Sequence, residues 1–275
     1  MSDGARVSVV LITLNEERNI DRCLASVSWA DEIIVVDSFS SDATIERARA
    51  YTGVILQHAY DGDIRQRERG FALATGEWLF YIDADEEVTP ELRAEILATV
   101  SDPASCDGYS VPRRVMVFGR WIYHGGWYPD HTFRLFRKRA YRAEQAEVHG
   151  GFTVDGPKGT LRGELLHYTY ATIEQYLGKM NEYTSLQVSN KLAGDPLLRA
   201  GWGKILLSPV SHFLRSYVSR KGYKDGVHGF LLAALGAIYT FGLYAKIWEY
   251  RMRAEEGKGL LPPITNLELL PYKQP

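Results

Sequence analysis

Asp83 and Asp85 stand two residues apart at the end of an apolar run, in the segment WLFYIDADEE. Held in a fixed turn, such a pair addresses one site. One carboxylate reaches the hydroxyls of a ribose, and the other holds a Mg2+ or Mn2+ that bridges two phosphates. Two more apolar runs upstream also end in polar residues, the first in Thr13-Leu14-Asn15-Glu16 and the second in Asp37-Ser38. No GxGxxG follows the first run and no GxxxxGK[ST] occurs, which excludes a dinucleotide-binding Rossmann site and a P-loop. Carboxylates repel a phosphate unless a cation lies between them, so a divalent metal is the expected cofactor.

The elements that must position these groups follow from hydrophobic patterning. Residues 7–14 and 33–36 are continuous β-branched runs of the kind buried on both faces of a parallel sheet, and 54–56 and 78–82 add two more. Helical patterns fall between them, after Asn15-Glu16-Glu17, over 44–51 and over 65–75. A charged helix over 90–100 carries Pro90 near its first turn. Strands alternating with helices mean βαβ units, an α/β fold class and a mostly parallel sheet, which binds ligands at its strands' carboxyl ends. Residues 109–141 turn to strand-like stretches rich in aromatics and arginines, and 149–167 are Gly-rich. Helices are expected over 172–190, 203–218 and 226–253, before a proline-bearing extended tail at 257–275.

Charge divides the chain. Residues 1–100 carry 9 Lys+Arg and 19 Asp+Glu, and residues 101–275 carry 23 and 15, giving −10 and +8. A basic second half suits an anionic partner or an anionic membrane surface. The composition, 45% hydrophobic and 24% charged, excludes a disordered chain and a disulfide-stapled mini-protein. Cys23 and Cys106 sit in no CxxC or metal-ligand cluster and fit a reducing compartment. The first apolar run is too short for a signal peptide, so the expected location is the cytoplasm.

Three linked segments, VSVVLITLNEERNIDRCLASV, IIVVDSFSSDAT and RQRERGFALATGEWLFYIDADEE, resemble the nucleotide-binding half of family 2 glycosyltransferases with the GT-A fold. The resemblance implies that Thr13, Leu14, Asn15 and Glu16 line a nucleoside and that Asp37 contacts its base. It puts Arg67 in the segment that closes over the base or diphosphate, Asp83 on the ribose and Asp85 on the metal. Glu68 stands where the family usually has Asn. The later segments GGWYPDHTFRLFRKRAYR, EVHGG and LLHYTYATIEQYLGKMNEYT are similar to bacterial lipopolysaccharide inner-core glucosyltransferases. Those relatives often carry a Glu just after the Val-His pair, where this chain has Gly150. The organisation implied is a GT-A catalytic domain over 1–170, with a nucleotide-binding half over 1–100 and an acceptor-binding half over 101–170. A helical extension over 171–256, a candidate for membrane association, and the tail complete it. The implied reaction is inverting transfer of a hexose, glucose from UDP-glucose, to the lipopolysaccharide inner core or a similar anionic membrane glycolipid.

Inverting transfer needs a carboxylate to take the proton of the acceptor hydroxyl. Asp130, in Tyr128-Pro129-Asp130, and Glu147, just before Val148-His149, are the candidates. Asp130 is favoured, as the only acid among eight Arg and Lys between Arg113 and Arg142; a structural pairing with Arg134 is its alternative. His149 is the candidate for completing the metal shell, and His167 reads as a structural strand-end residue. The arginines of this stretch, interleaved with Trp121, Tyr123, Trp127, Tyr128 and Phe133, suit a sugar platform with phosphate contacts. No RNA-binding signature occurs, and nucleic acid is not an expected partner.

Residues 229–245 form a charge-free run of 17 residues flanked by cations on both sides. A spanning helix needs about 20 apolar residues and a one-sided positive bias, so an interfacial or buried helix, in peripheral contact with the membrane, is expected instead. Gly229, Ala233 and Ala237 recur every four residues and permit close approach of another helix or of a second copy. Other readings are the same transfer to a polyprenyl phosphate or a protein, and a non-catalytic nucleotide-sugar-binding module. A sugar-phosphate nucleotidyltransferase is disfavoured, because the Gly-rich, basic loop it needs after the first strand is missing.

Overall fold

The computed structural model describes residues 6–143, 152–195 and 198–255. They fall into two compact units, one made of residues up to Arg114 with Pro129–Tyr168, the other of Val115–Tyr128 with the chain from Thr169 onward.

The first unit opens with β1 (Val7–Thr13), α1 (Ile20–Ser26), β2 (Glu32–Asp37), α2 (Thr44–Ala48), β3 (Val54–Gln57), α3 (Asp63–Leu73) and β4 (Trp78–Asp83). β1 pairs in parallel with β2 on one side and β4 on the other, and β2 pairs in parallel with β3. The unbroken apolar run of β1 has a packing reason. Val7, Val9 and Leu11 face a core shared with Ile20 and Leu24 of α1, while Val10 faces Phe71 of α3 on the opposite side. α3 can lie against β1 because residue 70 is glycine: a Cβ there would stand 2.3 Å from Val10 Cγ1. α2 is shorter than the expected 44–51. The hydroxyl of Thr52 donates to the Ile33 carbonyl at 2.6 Å, which draws the chain back to β2 and into β3.

β5 (Glu86–Val88) and α4 (Pro90–Ser101) follow. Thr89 caps α4 by accepting from the Leu92 amide, with Pro90 just inside. Then come β6 (Gly108–Val117), β7 (Arg120–Ile122), β8 (Asp130–Arg137), β9 (Tyr141–Ala143), β10 (Phe152–Val154), β11 (Lys158–Thr160) and β12 (Leu165–Tyr170). Among the described residues the main sheet runs β3-β2-β1-β4-β8-β6-β12-β5, with β7 and β11 also paired to β6. β8 is antiparallel to β4 and β6, so a parallel half continues into an antiparallel half.

The second unit is carried by α5 (Ile173–Gly194), α6 (Trp202–Leu214) and α7 (Gly226–Glu255), with a π-helical turn at Arg215–Ser219 and a 3-10 turn at Gly222–Asp225. Leu232, Ala233, Leu235, Leu243 and Ile247 of α7 are buried. What crowds Gly229 is the 3-10 turn just before α7 rather than another helix, since a Cβ there would collide with the carbonyl oxygen of Gly222; α6 comes close instead at Gly236, where a Cβ would meet the His212 ring. The 17-residue run underestimates the element. The helical segment Gly222–Ala254 is long and apolar enough to cross a membrane by length and composition, so shortness does not exclude a span.

Candidate active site

The register of the parallel strands makes their carboxyl ends flush: Thr13 lies opposite Asp37, and Ile12 opposite Asp83. Strand order reverses at β1, the position at which open α/β sheets form a ligand crevice. The turn after β1 is held from across the crevice edge. Asn15 adopts φ 55°, its amide donates to Ser40 Oγ at 2.9 Å, and its side-chain oxygen accepts from the Ser41 amide at 2.8 Å. The Glu16 amide donates to Thr44 Oγ1 at 2.8 Å. Asp37 is fully buried and accepts from the Ser40 amide and from Gln57 Nε2. Its carboxylate therefore braces the loop that follows β2. Leu14 is half-buried at the mouth of this turn, and the Thr13 hydroxyl is buried without a hydrogen-bond partner among the described residues. An orphaned hydroxyl is costly unless a ligand or water completes it.

A ladder of alternating charges crosses the sheet beside these ends. Arg67 Nη2 donates to Asp83 Oδ1 at 2.7 Å, and Arg134 Nη2 donates to Asp83 Oδ2 at 2.8 Å and to Glu86 Oε1 at 2.6 Å. Arg113 Nη1 continues to Glu86 Oε1 at 3.2 Å, and its Nε and Nη2 both reach Asp130 Oδ2. Arg134 is 3% exposed and Glu86 wholly buried, so each is a buried charge that needs an opposite charge beside it, Arg134 having Asp83 and Glu86 and Glu86 having Arg134 and Arg113. Burial alone would raise the Asp83 carboxyl, but the guanidiniums of Arg134 and Arg67 prevail and hold it well below the usual carboxylate range. For Glu86 burial is the larger effect, and its pKa is raised despite Arg134. The Asp83 amide also donates to Glu86 Oε2 at 3.0 Å, which fixes the turn carrying both aspartates.

Asp85 meets His167: Nε2 lies 3.2 Å from Asp85 Oδ2. β5 creates this pair by running antiparallel to β12, with His167 opposite Glu86, and the Tyr168 amide donates to the Asp85 carbonyl at 2.9 Å. A carboxylate oxygen and an imidazole nitrogen converging on one point are donors suited to Mg2+ or Mn2+. His167 Nδ1 is buried with no partner among the described residues. No group of three His, Cys, Asp or Glu able to hold a metal occurs among the described residues. Asp85 and His167 are thus the described residues that would hold a divalent cation, and any such ion would need further donors from outside the protein, as Mg2+ commonly takes.

Asp130 pairs with Arg113 across β6 and β8 rather than with Arg134, and its side chain is 41% exposed. Glu147 and His149 lie outside the described residues. The arginine series does not form the open phosphate platform its spacing suggested. Arg113, Arg134 and Arg137 are paired to carboxylates, as are Arg114 with Glu164 and Arg142 with Asp155. Phe133 stacks on Phe136 within the core. Sequence reasoning missed Glu86, indistinguishable by pattern from Glu87; His167, read as a strand-end residue, lies in β12, and its contact with Asp85 depends on the register of a three-residue strand. Gln66 was missed as well: it is buried on α3 and donates to Ser38 Oγ and the His58 carbonyl, tying the helix that bears Arg67 to the loop after β2.

Residues 8–154 match the family model for glycosyl transferase family 2. The chain is 29% identical to the lipopolysaccharide core biosynthesis glycosyltransferase LpsC of Rhizobium meliloti (strain 1021), over 88% of this chain and 92% of that protein. It is 26% identical to an uncharacterized glycosyltransferase of Rickettsia prowazekii (strain Madrid E), over 91% and 89% of the two chains. Among solved structures, glucosyl-3-phosphoglycerate synthase from Mycobacterium tuberculosis, crystallised with Mg2+ and UDP, matches 40% of this chain and 44% of its own. That match has a TM-score of 0.36 and 26% identity. With a family model covering more than half its length, the chain belongs to glycosyltransferase family 2, and its sheet is of the GT-A type.

Proposed function

We propose that the protein is an inverting, metal-dependent transferase that moves a hexose, glucose from UDP-glucose, to a lipopolysaccharide inner-core or similar membrane glycolipid at the cytoplasmic face of the inner membrane. The similarity to LpsC along most of both chains supports the acceptor class. The observation that carries the donor side is the convergence of Asp85 and His167 beside the arginine-clamped Asp83.

In this reading Asp85 and His167 would hold a divalent cation, whose charge would offset that of the leaving diphosphate. Asp83 keeps a lone pair on each oxygen beyond those taken by Arg67 and Arg134, enough to accept from ribose hydroxyls in a fixed rotamer. The orphaned Thr13 hydroxyl and the Asn15–Glu16 turn line the nucleoside. On the acceptor side the hydroxyl oxygen bonds to the anomeric carbon as the bond to the diphosphate breaks. The proton passes to a carboxylate, for which Asp130, oriented by Arg113, is the candidate within the described residues and Glu147 the one outside them. A single displacement of this kind inverts the anomeric centre.

UDP release from a panel of nucleotide sugars tests the reading, with glycolipid, polyprenyl phosphate and water as acceptors. UDP-glucose with the glycolipid should give the fastest release, and Asp85→Asn should abolish it. Binding of UDP-sugars with no release under any condition would make the protein a binding module instead.

A further inference from the structure

We infer that the paired outer faces of α6 and α7 form a docking surface for an anionic lipid bilayer, with α6 as its principal element. The sequence directs attention to α7, but the packing shifts it. Only Ile205 of α6 is buried. Trp202, Leu206, Val210 and Leu214, spaced four residues apart, are each more than half exposed, and Leu207 is 70% exposed. At 3.6 residues per turn these five side chains occupy about 140° of one helix face. On α7, Phe230, Phe241 and Trp248 fall at nearly the same angle and are also exposed. Ring contacts join the two faces, Trp202 to Trp248 at 6.4 Å and Phe213 to Phe230 at 5.8 Å between centroids. The result is a contiguous apolar surface of the kind that marks an interaction site.

Charge selects the occupant. Between residues 196 and 248 the sequence holds seven Lys and Arg and one acid, Asp225. Asp225 is 4% exposed and engaged by His124, so it offers no negative charge to the surface. Lys204, Arg215, Arg220, Lys221 and Lys224 are exposed. In an isologous dimer these cations would face their own copies. A bilayer with anionic headgroups satisfies both features, taking the apolar stripe into its interface and the cations at its surface. A crossing by α7 is disfavoured by Lys246, whose ammonium donates to Asn181, Thr184 and Ser185 of α5 and so faces the protein.

Co-sedimentation of the full chain with vesicles tests the surface separately from any donor chemistry. Vesicles containing phosphatidylglycerol should pellet the protein at low salt, with attraction lost at high salt, and pure phosphatidylcholine vesicles should pellet little. Replacing Lys204, Lys221 and Lys224 by Gln should weaken partitioning roughly a hundredfold, about fivefold per charge. The variant Leu206→Ser/Leu207→Ser/Val210→Ser should lose binding with an unchanged melting transition, since all three side chains are exposed. Brominated lipids should quench wild-type emission, and Trp202→Phe should remove much of that quenching, a readout that needs no destabilising change. Absence of pelleting overturns the inference. So does equal, salt-resistant binding to neutral vesicles, which would mean insertion of α7. Self-association in sedimentation velocity that the Ser variant abolishes, without vesicle binding, would assign the face to a second copy.

Discussion

Removing Arg134 should cost more than any other single side chain of the charge ladder, and the cost should be partly reversible by a second substitution. Arg134→Met keeps a long apolar stem beside Tyr81 but leaves Asp83 with Arg67 alone. Among the described residues Glu86 then keeps the Asp83 amide and Arg113 Nη1, the latter at 3.2 Å. Breaking a buried pair from one side costs about 3–5 kcal/mol, most of it the penalty of the stranded charge. Glu86 is fully buried and already raised in pKa, so it will respond by taking up a proton, at about 1.4 kcal/mol for each tenfold gain in proton affinity. Glu86→Gln alone should cost about 1–3 kcal/mol, because Arg134 keeps Asp83 and an amide oxygen remains. In Arg134→Met/Glu86→Gln the stranded charge is gone, and the double variant should be more stable than Arg134→Met by about 1–2 kcal/mol. Urea unfolding of the four proteins closes the cycle, with an expected coupling of about 2–5 kcal/mol, the cost of Glu86→Gln plus the stability the double variant regains. Losses that add within about 0.5 kcal/mol would refute the argument that Arg134 and Glu86 are held as a pair.

Asp130→Asn should lower turnover by roughly two to four orders of magnitude with donor affinity unchanged; unchanged turnover with a collapse in Glu147→Gln would move the base to Glu147. Asp83 is depressed in the folded state, so its contribution is present above the unfolded carboxylate pKa, about 3.9, and lost as pH falls toward the folded value. The stability difference between wild type and Asp83→Asn should therefore stay flat from neutral pH to about pH 5 and shrink only in stronger acid; a decline between pH 7 and 5 would contradict the arginine clamp. Gly70→Ala should destabilise by about 1–3 kcal/mol, because its Cβ would meet Val10 Cγ1, whereas Gly53→Ala, with open space around it, should change stability by less than about 0.5 kcal/mol. Chemical denaturation of both variants checks the contrast.

The parallel half of the sheet was legible because its signals are local. β1, β2 and β4 are continuous apolar runs, and the polar residues that end them sit at the carboxyl edge by virtue of strand direction alone. What stayed hidden depends on register between distant segments. Glu86 and His167 become neighbours only because the three-residue β5 pairs antiparallel with a strand about 80 residues later in the chain, and β5 is too short to announce its partner. The arginines misled for a related reason. Arg134 and Arg137 read as members of a basic series that contacts phosphates, yet both pair with carboxylates. Burial of such charges is invisible until the acids that pair with them are placed. The second unit shows the converse: apolar content located α7, but exposure, which no composition reveals, moved the unpartnered surface to α6.

Calorimetric titration of UDP, with and without Mn2+, into wild type, Asp85→Asn and Asp83→Asn tests the central claim most directly. A nucleotide site completed by a cation on Asp85 and His167 predicts that Mn2+ tightens UDP binding to the wild type by about tenfold or more, ~1.4 kcal/mol. Asp85→Asn should lose that enhancement while keeping the weak metal-free affinity, and Asp83→Asn should weaken binding in both conditions. UDP affinity indifferent to Mn2+, or an enhancement that survives Asp85→Asn, would contradict the account.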